Sequence, residues 1–259
     1  MDLQGKRMIL TGAASGIGRA LLDDLCAFDA QIVAVDRDAE ALQTALAALP
    51  AHAHVQPFIA DLSDPAAIEA LFTFADEALG TVDIFIANAG FAWYEPFDGK
   101  WAHVEAIYRV NVFAPLAALD HMMERAHGRP ITFVITASAM ARLGMAGYAV
   151  YASTKAALDR FADSFRLEAP PHVQLMLVYP IATRSNFFRH ERRAAPVPFP
   201  SQTPETVAAA IVRGLQRDRR NVHPSRLFRL AALVDRVLPI LWLYQRFSRW
   251  TFRQWLKQP

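Results

Sequence analysis

Between Thr11 and Gly18 the chain reads Thr-Gly-Ala-Ala-Ser-Gly-Ile-Gly, a glycine-rich turn set between an apolar run and a helix-patterned segment read as Arg19 to Phe28. Such a turn suits a pyrophosphate. Glycine lets the backbone approach the ligand closely, and the unsatisfied N–H groups at the head of the helix stabilise its charge. Gly12, Ser15, Gly16, Ile17 and Gly18 are therefore candidate phosphate-binding residues, with a purely steric glycine turn as the bland alternative. Asp36 closes a second apolar run 18 residues after Gly18. A carboxylate at that distance meets the ribose hydroxyls of a dinucleotide and repels a 2′-phosphate, so NAD(H) is expected over NADP(H). Arg37 pulls the other way, since a guanidinium pairs well with that phosphate, and NADP(H) stays open. Otherwise Asp36 merely caps the next helix.

The elements that must position these residues recur regularly. Apolar, β-rich runs begin at Arg7, Gln31, Val55, Val82, Ile131 and Val173, separated by longer helix-patterned stretches. Nearly continuous apolar runs fit parallel strands covered on both faces, so the expected fold is α/β, a Rossmann-type doubly wound parallel sheet of about seven strands with helices on both faces. Asp38, Ser63-Asp64 before Pro65, and Thr203 before Pro204 read as helix starts.

Composition narrows the classes. The 259 residues suit one domain, 1–259, and 53% hydrophobic against 20% charged residues excludes extensive disorder. The single cysteine, Cys26, excludes an internal disulfide and reads as a buried thiol, consistent with a reducing, cytoplasmic setting. Neither metal-ligand spacing nor a GxSxG elbow occurs, so no metal is expected. Met1 to Lys6 leads straight into the first strand-like run, and no apolar run approaches the ~18–20 residues that cross a bilayer.

The chain resembles the classical short-chain dehydrogenases/reductases. The glycine turn has their TGxxxGxG spacing, followed in order by Asp61-Leu62, Asn88-Ala89-Gly90, Asn111, Ser138 and Tyr151-Ala-Ser-Thr-Lys155. The match runs roughly from Lys6 to Ser185. It implies that Asp61 and Leu62 border the adenine, that Asn88, Ala89 and Gly90 lie along the cofactor, and that Asn111, Ser138, Tyr151 and Lys155 form the catalytic set. Tyr151 and Lys155 also count as cofactor contacts. The implied activity is hydride transfer between a nicotinamide and a small-molecule carbonyl or alcohol, with a homodimer or homotetramer built on the helices carrying Asn111 and Tyr151. The implied roles are Tyr151 as general acid/base, Ser138 as orienter of the substrate oxygen, and Asn111 as holder of a water linking Lys155 to solvent. Tyr151 and Lys155, four apart, share a helix face. A nearby ammonium and the positive nicotinamide are expected to lower the phenol's pKa from about 10. A dinucleotide-binding sensor or scaffold without turnover is the alternative from another class.

Departures follow. Where the family has Pro-Gly and then a threonine, this chain reads Pro180-Ile181-Ala182-Thr183-Arg184-Ser185, and either Thr183 or Ser185 supplies the hydroxyl that contacts the nicotinamide carboxamide. Residues 184–204 stand where the family carries a substrate lid. Its segment from Asn186 to Arg193 holds two aromatics followed by basic residues, suiting a lipophilic substrate with an anionic part, such as an acyl thioester. Met140, Phe91, Trp93 and Phe187 are candidate substrate contacts.

The tail, 224–259, is basic, aromatic and helical in pattern. From Arg213 to Pro259 eleven Lys or Arg face two Asp or Glu, while the whole chain carries only +2. Arg246, Arg249, Arg253 and Lys257 repeat at spacings of three, four and four. One reading closes the tail over the substrate cleft or packs it on another subunit. The other lays it on an anionic membrane surface, peripheral to the inner face. Without a nucleic-acid-reading motif, nucleic acid is not an expected partner.

Overall fold

The computed structural model describes residues 1–185, 187, 197–235 and 240–257. Seven parallel strands form one sheet: β1 (Arg7–Thr11), β2 (Gln31–Asp36), β3 (His54–Ile59), β4 (Ile84–Ala87), β5 (Ile131–Thr136), β6 (Val173–Val178) and, late in the chain, β9 (Asn221–Val222). Their order is β3-β2-β1-β4-β5-β6-β9. The order reverses between β1 and β4, and crevices at such a point hold ligands beyond the strands' carboxyl ends. The helices between strands are α1 (Gly16–Cys26), α2 (Ala39–Ala47), α3 (Pro65–Leu79), α4 (Trp101–Tyr108), α5 (Ala114–Ala126), α6 (Ala149–Glu168) and α7 (Pro204–Gln216).

Period-two alternation sends neighbouring side chains into two cores. Ile9, Phe85, Phe133 and Leu175 pack with α3, α5 and α6, whereas Met8, Leu10, Val134 and Met176 pack with α1 and α7. Both faces are covered, which is why the central strands read as continuous apolar runs. Phe72, Phe85 and Phe133 stack in series with centroids 5.7 and 4.9 Å apart. The third run departs from that expectation. β3 is an edge strand and mostly exposed, and Pro57 is tolerated there because an edge strand has an unpaired side.

The caps follow the sequence closely. Asp38 accepts the Ala41 N–H at 2.9 Å, Asp64 accepts that of Ala66 at 3.0 Å ahead of Pro65, and Thr203 accepts that of Thr206 at 3.3 Å. Boundaries shift by a few residues; α1 ends at Cys26 where the pattern placed Phe28, and β3 begins at His54 where it placed Val55. α1 begins at Gly16 instead of Arg19, bringing the glycines into the helix start, and the fourth strand spans Ile84–Ala87, although the Asp83 N–H and carbonyl still bond Arg7 and Thr132 as the ladder does. The lid region is framed by β7 (Ala182–Thr183) and β8 (Ser201–Gln202), which pair in parallel. Of the segment from Asn186 to Arg193, only Phe187 lies within the described residues. The tail forms α8 (Arg226–Val234) and α9 (Ile240–Lys257), and no described helix is long and apolar enough to cross a membrane.

Candidate active site

A cleft of about 240 Å³ opens at the carboxyl ends of the central strands. Gly12, Ser15, Gly16 and Ile17 line one end, Asp36, Arg37, Asp61 and Leu62 an adjacent part, and Ser138, Tyr151 and Lys155 the other end. Asn88, Ala89, Gly90, Phe91, Met140, Pro180, Ile181, Thr183, Ser185 and Phe187 complete most of the wall.

The glycine turn is held from behind. Thr11 Oγ1 accepts the N–H groups of Asn88 and Ala89, both at 3.0 Å, and Asn88 Nδ2 donates to the carbonyls of Thr11 (3.2 Å) and Gly12 (3.3 Å). Asn88 thus splints the turn from β4. Gly18 does not line the cleft; it permits close packing, since a Cβ there would lie 1.8 Å from the Gly12 carbonyl oxygen. Gly12, at φ +67°, would bring a Cβ within 3.0 Å of the Ala89 backbone. Ser15, the N-cap of α1, makes no side-chain capping bond, leaving the helix head facing the cleft. A glycine cradle next to an uncapped helix N-terminus fits a dinucleotide pyrophosphate. Asp36 Oδ2 accepts the Ala14 N–H at 3.0 Å and Oδ1 that of Asp38 at 3.2 Å, which fixes its charge beside the turn.

At the opposite end, Tyr151 and Lys155 share a face of α6, with the ammonium 5.7 Å from the phenol ring centroid. Lys155 Nζ donates to the Thr136 carbonyl at 2.8 Å, and burial lowers its pKa to about 8. The expected lowering of the phenol is not what the protein itself produces. Burial pushes Tyr151 up to about 12, the bond with Ser138 opposing only in part. The ammonium bonds a backbone carbonyl, so desolvation wins. Ser138, on the loop after β5, accepts the Met140 N–H at 3.0 Å, which fixes its hydroxyl.

Asn111 sits in a π-helical turn, Arg109–Phe113, a geometry frequent at functional sites. Its side chain clamps Phe91, accepting that N–H at 3.0 Å and donating to that carbonyl at 2.9 Å, with a further bond to Thr154 at 3.2 Å. It lies behind the cleft wall, against Gly90. Thr183 is buried, donates to the Ile181 carbonyl at 3.0 Å and receives a bond from Gln202 at 3.4 Å. Ser185 instead lies against Gly16, at 3.1 Å from where a Cβ would be. Trp93 faces a small neighbouring hollow with His103, 4.4 Å away ring to ring, and does not line the main cleft.

Several participants escaped the sequence reading. Arg142 donates to Asp159 at 3.2 and 3.1 Å and to Tyr179 Oη at 3.3 Å, and Tyr179 donates to Asp159. This network ties the Ser138 loop to α6 one turn beyond Lys155. Burial pushes the Asp159 carboxyl up, but its bonds with Arg142 and Tyr179 outweigh that and hold it low. Asp159 stands four residues after Lys155, so helix spacing was the available signal. On the substrate side, Phe187 meets Tyr151 at 5.6 Å, and Tyr94 packs on Tyr148 (4.9 Å), Phe252 (5.3 Å) and Trp255 (4.9 Å). The tail therefore covers the aromatic cluster behind Tyr151. Gly147 makes room, since a Cβ there would fall 2.3 Å from the Tyr94 ring. Among the described residues no His, Cys, Asp and Glu group could hold a metal.

A family profile described as short chain dehydrogenase matches residues 6–196. The chain is 36% identical over 176 residues to 1-deoxy-11-beta-hydroxypentalenate dehydrogenase of Streptomyces avermitilis, covering 65% of this chain and 64% of that one. It thus spans slightly under two thirds of that relative's length. Among solved structures, a short-chain dehydrogenase from Sphingobium yanoikuyae in complex with NADPH superposes with TM-score 0.78 at 25% identity, covering 88% of this chain and 92% of that one. A short chain dehydrogenase/reductase from Burkholderia phymatum in complex with NAD gives 0.81 at 21% identity, covering 89% and 92%. The last of these speaks to the fold alone.

Proposed function

Because the chain belongs to the short-chain dehydrogenase family, we propose that it is an NAD(P)-dependent oxidoreductase acting on the carbonyl/alcohol pair of a small lipophilic molecule. The observation that carries this reading is the convergence of Ser138, Tyr151 and Lys155 on one end of a cleft whose other end is a glycine cradle at a helix N-terminus.

A bound nicotinamide would supply or take up the hydride. Gly12, Ser15, Gly16 and Ile17 would hold the pyrophosphate and Asp61 and Leu62 would border the adenine, while Asn88 and Asn111 brace the wall. In reduction the Tyr151 hydroxyl, protonated throughout the neutral range, donates its proton to the substrate oxygen. In oxidation the phenolate form, with the Lys155 ammonium and the bound cofactor's positive charge lowering the cost of deprotonation, would accept the alcohol proton. Ser138 Oγ, oriented by Met140, donates to the substrate oxygen as negative charge gathers there. The Lys155 ammonium, 5.7 Å from the Tyr151 ring centroid, would stabilise the phenolate left behind and would hold the cofactor's nicotinamide ribose. Phe91, Met140 and Phe187 surround the substrate's apolar body.

NAD(H) is the favoured cofactor, because two backbone N–H groups lock the Asp36 carboxylate beside the turn where a 2′-phosphate would be repelled. Arg37, on the same wall, is the residue that would reverse this. Thr183 and Ser185 both line the cleft and both hydroxyls are bonded within the protein, Thr183 with Ile181 and Gln202, Ser185 with the Thr183 carbonyl and the Phe187 N–H, so either would supply the hydroxyl near the nicotinamide. Exposed Phe113 and Leu167, beside and on the helices of the catalytic set, provide apolar material for a homodimer or homotetramer. The lone buried Cys26 fits a reducing, cytoplasmic setting.

Titration with NADH and NADPH, read by energy transfer from tryptophan to nicotinamide, tests the reading in the native protein and in Tyr151→Phe. The substitution is expected to lower kcat by roughly 10²–10⁴-fold while leaving dinucleotide affinity within a few fold. Turnover that survives it refutes the assignment of the acid/base. Tighter binding of NADPH than NADH overturns the role given to Asp36.

A further inference from the structure

Helix α9 divides into three faces. The inner one is fixed by the fold: Ser248 is buried and its Oγ accepts the Ala146 N–H at 3.0 Å, while Phe252 and Trp255 pack on Tyr94. That face is a wall of the aromatic cluster behind Tyr151. The outer surface carries two adjacent stripes. Leu243, Phe247 and Trp250, at spacings of four and three, are each more than half exposed, and Phe247 stacks with Trp250 at 6.0 Å. Arg246, Arg249, Arg253 and Lys257 form the second stripe, with the Arg246 guanidinium 4.9 Å over the exposed Trp242 ring. α9 contains no acidic residue, and none of the four cations forms an ion pair among the described residues. α8, packed against α9, adds exposed Arg226, Leu227, Arg229 and Leu230.

We infer that α9 is an interfacial helix whose outer surface lies on an anionic lipid bilayer, and that lipophilic substrates reach the cleft from that surface. An apolar stripe of Leu, Phe and Trp beside a basic stripe is what partitioning into the headgroup boundary requires. The fold supplies what an isolated amphipathic peptide lacks, because the third face is occupied by the protein and sets which side is outward. A second copy is a poor occupant. Isologous pairing would oppose two stripes of four cations with no carboxylate on either. A nucleic acid would leave the stripe of Leu243 and Phe247 without an apolar partner. The membrane half of the proposal stands by itself, whereas the substrate half rests on the oxidoreductase reading above.

Vesicles of phosphatidylcholine alone, and of phosphatidylcholine with 30% phosphatidylglycerol, provide the test by co-sedimentation. The native protein is expected to bind the anionic vesicles with a blue shift of tryptophan emission and to leave the neutral ones in the supernatant. Each basic residue near such a surface contributes about fivefold to partitioning, so Arg246→Gln with Arg253→Gln should weaken binding roughly thirtyfold. Leu243→Ser with Phe247→Ser should abolish the blue shift. All four side chains are exposed, so neither double variant disturbs the core. Equal binding of native protein and variants, or no preference for anionic lipid, overturns the proposal. So does a dimer in light scattering that either double variant dissociates.

Turnover is read in the same samples. The native protein should reduce a long-chain ketone at least threefold faster with anionic vesicles, the variants should not, and a water-soluble aldehyde should be unaffected in both. Vesicle binding without turnover of any carbonyl refutes the oxidoreductase reading and leaves the membrane surface standing. Turnover without vesicle binding refutes the membrane surface alone.

Discussion

Gly18→Ala is the most discriminating perturbation of the glycine turn, because the nearest obstacle is the Gly12 backbone, with the Asn88 side-chain amide beside it. The new methyl would sit 1.8 Å from the Gly12 carbonyl oxygen, 2.7 Å from its carbon and 2.8 Å from Asn88 Nδ2. A comfortable carbon–oxygen contact is about 3.3 Å, so α1 and the turn must separate by roughly 1.5 Å. Such a movement also breaks the bond from Asn88 Nδ2 to the Gly12 carbonyl. Overpacking costs about 1–3 kcal/mol and the lost hydrogen bond about 1 kcal/mol more. For a chain of this size that lowers Tm by roughly 5–12 °C. The larger effect falls on binding, since a displacement of about 1 Å at a positioned site costs on the order of 100-fold. Nicotinamide fluorescence titration measures that Kd, and circular dichroism the Tm. Gly144→Ala is the control, as its methyl would meet nothing nearer than 4.0 Å. Gly18→Ala binding within threefold of the native protein, at unchanged Tm, would refute the claim that close packing of this glycine shapes the cradle.

Four further outcomes are expected. Asp159→Ala strands the Arg142 guanidinium and the Tyr179 hydroxyl; with Arg142 partly exposed the cost is about 2–3 kcal/mol, read as a fall in both Tm and kcat while dinucleotide Kd holds. Because Asp159 is held below the usual carboxylate range, its stabilisation is present above pH 3.8 and lost as pH falls further, so Asp159→Asn should flatten the acid limb of Tm against pH. For Lys155, carbonyl reduction should decline as pH rises through about 8, where the ammonium loses its proton while Tyr151 keeps its own; a kcat profile flat to pH 9.5 contradicts this. Finally, Ser185 lies against Gly16 of the turn, so Ser185→Ala should weaken dinucleotide binding about fivefold, whereas Thr183→Val, which removes buried bonds with Ile181 and Gln202, should mainly lower Tm; the reverse pattern would give the cofactor contact to Thr183.

How much of this was legible in the sequence depended on range. Asp38, Asp64 and Thr203 cap helices where the pattern placed them, since a cap is made with residues two or three positions away. Central strands announced themselves because burial on both faces demands an apolar residue at every position. β9 did not: two residues at an edge carry no periodicity, and only pairing with Leu177 and Val178 makes them a strand. Asn111 and Asn88 are expected site residues by sequence, and the structure spends their side chains on Phe91 and on the Thr11–Gly12 carbonyls, partners at least 20 positions away.

The glycine turn, the one-turn spacing of Tyr151 and Lys155, and the basic repeat of the tail were determined by the sequence itself. Each is a relation among chain neighbours, fixed once helix or turn geometry is granted. Tertiary structure decided the rest. It chose the direction of the Tyr151 shift, because burial is the sum of what many distant residues exclude. It joined Arg142 to Asp159 and so the Ser138 loop to α6. And it turned Phe252 and Trp255 inward onto Tyr94, which is what leaves the cations of α9 facing out.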